Sequence, residues 1–505
     1  MMVAGERIFD GQRFIRGTLA IQGGRIAAIK SAREGYALIT PGLIDSHLHL
    51  VNLGLDLQGL QLNRCQSQGE FIADLRKHLQ AGGEGWITGR GWDQNKLGFT
   101  PHRQLLDFLC PHRPMILTRA CGHVAAVNSK ALEAAGITKA TVVAGGVLRR
   151  DFSGELTGIL EEKAVNLVTD VIPQPDAATL YSALVAAIKY AYSCGITGAH
   201  TDDRGQVKDY LSLWDLYHRV TQSYPLRVQL HYTIGSPEDL RDYLRLGSEH
   251  KDTDFVFKGA AKLFLDGSLG ARTAALMEDY SDDPGNKGVL VYDDSTVREI
   301  VTIAEESGIQ LAVHAIGDRA AEQFLRILRE VRGAKPGRVR HRIVHFQVTN
   351  IDQINRAKAL DLAIDIQPGF LPTDMQWAES RLGRKRLQTS YCWRTMDKAG
   401  LYLSGGSDAP VEDINPWRGV AAAVTRQDGR GNFAAAWQKD ESLTLTRSLS
   451  LFTAAAAGVA GWQQLGTIGP GNLADLGLYS QFDPDNLWET RPDQVLIQGN
   501  TVYQR

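Results

Sequence analysis

The chain has 505 residues, room for two or three domains or for one large barrel with additions. Lys and Arg number 55 against 57 Asp and Glu, and the formal net charge of -2 excludes a strongly basic nucleic-acid binder or a polybasic membrane-surface protein. Five scattered cysteines form neither a disulfide framework nor a zinc knuckle, no signal-peptide pattern opens the chain, and no apolar run reaches the roughly 20 residues of a membrane span, so the sequence points to the reducing cytoplasm.

Residues 1–40 read as short strands, with Asp10-Gly11 and Gly23-Gly24 as hairpin signals between alternating apolar segments. The apolar run "PGLIDSHLHL" then reads as a buried strand that ends in His47 and His49, two imidazoles on one face. Residues from about 55 to 170 are too long for a simple connection. They contain helical patterns in "GEFIADLRKHLQAGG", "HRQLLDFLC" and "NSKALEAAG" and a strand in "RPMILTRA", and are expected to form an inserted α+β subdomain capping the active site. Beyond them strands and helices alternate. "ITGAHT", "LRVQLHYT", "GAAKLFLDG", "IQLAVHAIG", "RHRIVHFQV", "DLAIDIQP" and "GLYLSGGSD" are strands, with amphipathic helices such as "DDSTVREIVTIAEESG" among them. With the first strand this makes eight, which predicts an α/β protein built on a (β/α)8 TIM barrel. The C-terminal segments "LGTIGPGNLADLGLYS" and "VLIQGNTVYQR" are again short strands, so one small β-domain is expected from both termini. The expected division is 1–40 plus 462–505, 41–54 plus 171–461, and 55–170.

Catalytic groups of such barrels sit at strand C-termini. Strand one supplies His47 and His49, strand two His200 or Asp202, strand four Lys262, strand five His314, strand six His345 and strand eight Asp408. A lone barrel histidine is commonly a satisfied core group, and Lys262 could simply pair with Asp266 or Asp408. The joint placement argues instead for a divalent metal, zinc first among the candidates, as one or two ions. His47, His49 and Asp408 would hold one, and His314 and His345 the other. Lys262 could bridge them only as a carbamate formed with CO2. Trp92, Phe370 and Trp377 are read as lining an apolar substrate pocket, with ordinary exposed or half-buried aromatics as the alternative. "GSLGAR" is read as a turn that brings backbone close to the site.

The motifs "PGLIDSHLH", "KLFLDGSLGARTAAL", "LAVHAIGDRA", "HRIVHFQ", "GGSDAPV" and "GTIGPGNLADL" together resemble the amidohydrolase superfamily, and within it the family 3 branch that includes N-substituted formamide deformylases. "GRGWDQNKLG", "RPMILTRACGHVAAVNSKAL" and "GELTGILEEKA" resemble that branch's insertion. The resemblance implies a composite β-sandwich from both termini beside the barrel. It also implies His47, His49, His314, His345 and Asp408 as ligands, and Lys262 at the position of a carbamylated bridging lysine. Val344 departs from the pattern, because relatives often carry glutamate before the sixth-strand histidine. The activity expected is hydrolysis of carbon-nitrogen bonds in a small-molecule amide or N-substituted formamide. A metal-activated hydroxide attacks the carbonyl, Asp408 is the general base, and His123 donates to the developing oxyanion. A mononuclear-metal deaminase of a heterocycle and a non-catalytic metal-binding regulatory protein are the alternatives. No nucleic-acid or membrane partner is expected, and a homodimer is left open.

Overall fold

Leu43–Leu48, Ile196–Asp202, Arg227–Thr233, Val256–Phe264, Leu311–Ala315, Arg342–His345, Ala363–Ile366 and Tyr402–Gly405 pair side by side in one eight-stranded parallel sheet. Each coincides with a segment expected from the sequence. The computed structural model describes all residues except 32–33, 83–84, 120–123, 144–145, 204, 208, 334–336, 430 and 432–435. The strands are buried along nearly their whole length, as in a parallel sheet covered on both faces. The last strand returns to the first. Asp408 donates its N–H to His47 O at 2.7 Å, and His49 donates to Ala409 O at 2.8 Å. Gly406 is required at this seam, because a Cβ there would sit 2.7 Å from the His47 nitrogen.

Local signals explain the connecting helices. Asp294–Ser307 starts where Asp293 accepts the Thr296 N–H, buries Val297, Ile300, Val301 and Ala304, and stops at Gly308 with φ +74°. Ile351–Ala359 begins with a reciprocal cap between Asn350 and Gln353. The short helix Ala454–Val459 packs Ala456 and Ala457 against Ile44 and Trp462 of the barrel.

The two ends of the chain join in a single seven-stranded sheet. Its order is Asn500–Gln504, Gln494–Ile497, Leu476–Tyr479, Leu38–Pro41, Met2–Phe9, Phe14–Gln22 and Arg25–Lys30. Ile8, Leu19, Ile26, Ile39, Leu476 and Leu496 form its core. A buried ion pair, Arg227 Nε to Asp475 Oδ2 at 2.9 Å, ties it to the third barrel strand.

Spatially the chain falls into two compact units, residues 1–50 with 187–505, and residues 51–186. The second has its own six-stranded sheet, in the order Gly146–Arg150, Leu156–Glu162, Val124–Val127, Met115–Arg119, Ile87–Trp92 and Leu60–Gln61. Only one of these strands is evident in the sequence; Gly89 and Gly91 interrupt Ile87–Trp92, and Gly158 interrupts Leu156–Glu162. Trp92 is a correction to the sequence reading. It lies on a strand, is 1 % exposed, donates Nε1–H to Leu117 O at 2.7 Å, and packs with Phe71, Leu75, Leu106 and Met115, so it belongs to this unit's core.

Candidate metal centre

Strand ends bring six of the seven expected site residues of the barrel and insertion into one cluster. The seventh, His123, lies outside the described residues. His47 Nε2 and His49 Nε2 stand 3.3 and 3.1 Å from the same atom, Asp408 Oδ1. Lys262 Nζ is 3.4 Å from His47 Nε2 and 4.7 Å from the Phe264 ring centroid. His314 Nδ1 and His345 Nε2 face each other at 3.0 Å, and the His47 and His345 rings lie 5.8 Å apart.

The outward-facing ring nitrogens decide what the inward ones carry. Gln367 donates Nε2–H to Asp365 O at 2.8 Å, so its Oε1 is the atom that faces His345 Nδ1 at 2.7 Å. The His345 proton therefore sits on Nδ1. His314 Nε2 faces two acceptors, Gly267 O at 3.2 Å and Asp266 Oδ1 at 3.4 Å, so its proton sits there. The two nitrogens that meet at 3.0 Å are both bare lone pairs. Burial, reinforced by Lys262, pushes His314 down to about 3, and burial with His314 drives His345 well below its usual value, so protonation does not relieve the contact near neutral pH. A cation does. Two nitrogens on one tetrahedral zinc would stand about 3.3 Å apart, given Zn–N bonds of about 2.0–2.1 Å.

The other half of the cluster has the same character. His49 Nδ1 donates to Asp202 O at 2.5 Å, so Nε2 is the nitrogen that faces the Asp408 carboxylate, to which it donates while the ring is charged. Burial opposes charge on His49, but Asp408 overrides it and lifts the imidazole to about 9. Burial likewise opposes ionisation of Asp408, yet His47 and His49 hold it well below the usual carboxylate range. Burial lowers Lys262 to about 8 against the pull of Asp202 and Asp408. The donor set of imidazoles and a carboxylate, with the His314 and His345 lone pairs facing each other and a His49 proton on Asp408 that a cation can replace, fits a divalent metal.

Several residues that build the site are not evident from strand-end reading. Asp45 accepts the His47 N–H and the Ser407 N–H, both at 3.0 Å, and so locks strand one to strand eight. It stands two residues before His47, on the same strand face, which was the available signal. Asp266 is not the partner of Lys262. Its carboxylate accepts the N–H groups of Ala275, Ile316 and Gly317 at 2.9, 3.1 and 2.8 Å, and it orients His314. Asp202, not His200, reaches the cluster from strand two, while His200 Nδ1 lies 3.1 Å from Arg342 deeper in the barrel. Phe370 stacks on His345 at 5.8 Å between centroids, and Trp377 lies against Gly270. The Gly267 carbonyl opening "GSLGAR" is the backbone group that approaches the site.

The model for "Amidohydrolase family" matches residues 37–503. The chain belongs to that family. It is similar to amidohydrolase YtcJ of Bacillus subtilis (strain 168), 35 % identical over 484 residues covering 93 % of this chain and 89 % of that protein. It is also similar to the N-substituted formamide deformylase of Arthrobacter pascens, 25 % identical over 542 residues, 99 % of this chain and 97 % of the relative. Among solved structures, an uncharacterized metal-dependent hydrolase from Pyrococcus furiosus superposes with a TM-score of 0.77 at 27 % identity, covering 95 % of this chain and 99 % of that one. The match to the amidohydrolase family takes in every residue of the cluster. Among the described residues no helix is long and apolar enough to cross a membrane.

Proposed function

We propose that this amidohydrolase-family protein is a metal-dependent hydrolase of carbon-nitrogen bonds of the amide or N-substituted formamide type. The observation that carries the metal requirement is the pair of bare lone pairs, His314 Nδ1 and His345 Nε2, held 3.0 Å apart beside the His47, His49 and Asp408 donors. The similarity to the Arthrobacter pascens deformylase supports the bond type. A bound divalent ion supplies an acidified water and a polarised carbonyl. Asp408 accepts a proton as water adds to the carbonyl carbon and returns it to the leaving nitrogen. Asp202, Gln367 and Asp266 hold His49, His345 and His314 in the tautomers that present lone pairs inward. Phe370, half-buried over His345, offers an apolar surface to the substrate.

Lys262 is proposed to join the site as a carbamate. Its neutral amine adds to CO2, forming an N–C bond and releasing one proton, and gains one negative charge shared by two oxygens in a cluster otherwise rich in imidazole. A second reading has one observation in its favour. The donor atoms of His47, His49 and Asp408 lie within 4.8 Å of one another, a complete one-ion set, which suits a mononuclear deaminase with an unmodified lysine.

The test is metal content and turnover of the wild type and the His47→Ala, His49→Ala double variant on a panel of amides, formamides and amino-heterocycles. Bound metal and amine release from amides support the reading. Wild-type metal content in the double variant removes these two histidines from it, and ammonia release from heterocycles alone favours the deaminase.

A further inference from the structure

Directly beneath the cation site the barrel is not filled by aliphatic side chains alone. Arg342, on strand six and fully buried, places its guanidinium on the barrel axis. Its Nε donates to Asp365 Oδ2 at 2.8 Å, and Nη2 lies 2.6 Å from the same oxygen. Nη2 also donates to Ser46 O at 2.7 Å and lies 3.1 Å from His200 Nδ1. Nη1 donates to Gln229 Oε1 at 3.2 Å and lies 3.3 Å from His231 Nε2. From strand six, this one side chain reaches strands one, two, three and seven.

We infer that Arg342 is a positioning residue for the cation site. It fixes the Ser46–His47 peptide, and with it the ligand pair His47 and His49, relative to the strand that carries His345. The inference rests on the metal reading above. Ser46 O belongs to the peptide whose nitrogen is that of His47, so a donor on this oxygen sets the orientation of the backbone from which His47 projects. Asp365 balances the charge and is itself held by the Ser404 hydroxyl. Its backbone carbonyl receives Gln367, the residue that orients His345. The arginine therefore contacts the supports of both halves of the donor cluster at once.

Stability alone is a poor explanation for this hub. A buried ion pair of this kind is commonly matched or exceeded by well-packed apolar residues of the same volume, and aliphatic layers fill most such barrels. Geometry is what a guanidinium adds, through a planar fork that contacts a carboxylate and a carbonyl in fixed directions. Lysine carries the same charge but cannot reproduce that fork.

The experiment compares wild type, Arg342→Lys and the double variant Arg342→Met, Asp365→Leu, in which no buried charge is left alone. Thermal melting reports the fold, competition with a chromophoric chelator reports Zn affinity, and the visible spectrum of the Co(II)-loaded protein reports donor geometry. Both variants are expected to melt cooperatively, to bind metal about 10–100-fold more weakly, and to show an altered Co(II) spectrum. Wild-type affinity and spectrum in the folded double variant would overturn the inference. So would failure of both variants to fold, which would assign Arg342 to the fold itself. A wild-type protein that takes up no divalent cation would instead sink the metal reading, and that outcome is visible before any variant is made.

Discussion

Gln367 offers a test of the lone-pair argument. In Gln367→Leu the side chain keeps comparable bulk, but His345 Nδ1–H loses the oxygen that now accepts it at 2.7 Å. A buried donor without an acceptor costs about 1–3 kcal/mol. The imidazole escapes that cost by moving its proton to Nε2, where His314 Nδ1 waits at 3.0 Å to accept it. The result is an N–H···N hydrogen bond in the place the cation needs. Metal binding must then break a hydrogen bond worth about 0.5–1.5 kcal/mol and restore the less favoured tautomer. Together these effects should weaken binding by about 10–100-fold, or about 1.4–2.7 kcal/mol, the range typical when a partner that orients a ligating histidine is removed. The metal-free variant should melt close to the wild type, because its histidine pair has satisfied itself. Competitive chelator titration measures the affinity, and circular dichroism with melting measures the fold. A folded variant with affinity within about twofold of wild type would refute the tautomer assignment and the claim that facing lone pairs define the site.

Asp408→Asn should keep the fold yet lose turnover by about two to four orders of magnitude, as expected for removal of a general base, and near-normal kcat would exclude Asp408 from proton transfer. For Lys262, the intact mass of its peptide under CO2 and metal should show one added CO2, and Lys262→Ala should bind less metal than the wild type. An unmodified lysine in fully loaded, active protein would favour the one-ion reading. Asp374→Asn addresses pH. Burial lifts the Asp374 carboxyl from 3.8 to about 8, with Tyr391 and Gln347 donating to it, so the native protein retains a proton that the unfolded chain releases near pH 4. The stability this contributes is full below that pH and lost as pH rises through 8. The asparagine variant should lose less stability than wild type between those values, and parallel denaturant-stability profiles from about pH 4 to pH 8 would contradict this.

The barrel was legible because its strands are short apolar runs separated by strong helix signals. "DDSTVREIVTIAEESG" carries its own cap, its apolar face and its stop. The residues of the candidate cluster were legible for a different reason: several polar groups sharing the C-terminal ends of barrel strands point to a site. Applied to strand seven, the same rule would have found Gln367, which ends "DLAIDIQ" on the same face as Asp365. Asp45 and Arg342 were hidden because neither stands at the C-terminal end of its strand, and single-residue patterns do not reveal which distant strand supplies the partner. Asp45 meets Ser407 across 362 residues, and Arg342 meets Ser46 across 296. Two strands of the second unit's sheet were hidden by glycine. Gly91 with φ +97° and Gly158 with φ +83° break strand patterns that only pairing with neighbours rescues.

His345 shows most sharply where alternation stops being a guide. Along strand six Arg342 faces the barrel axis, and Val344 shares its parity, packing with Ala260 and Ala312. By that rule His345 should point away from the axis. It does not, because its backbone turns to φ +78°, followed by Phe346 at φ +48°. Asp408 on the other side of the mouth has φ +57°. Left-handed backbone at non-glycine residues costs about 1–3 kcal/mol each and persists only where the surroundings over-determine it. The surroundings do so here. Phe346 N–H donates to Ala315 O at 3.1 Å, Val348 N–H to Ile316 O at 2.9 Å, and Val411 N–H to Asp408 O at 2.9 Å. Glycine would relax either position, but glycine has no donor atom. At His345 and Asp408 the strain thus falls on two residues of the candidate cluster. The position before His345 is filled by a valine packed against two alanines rather than by an acid.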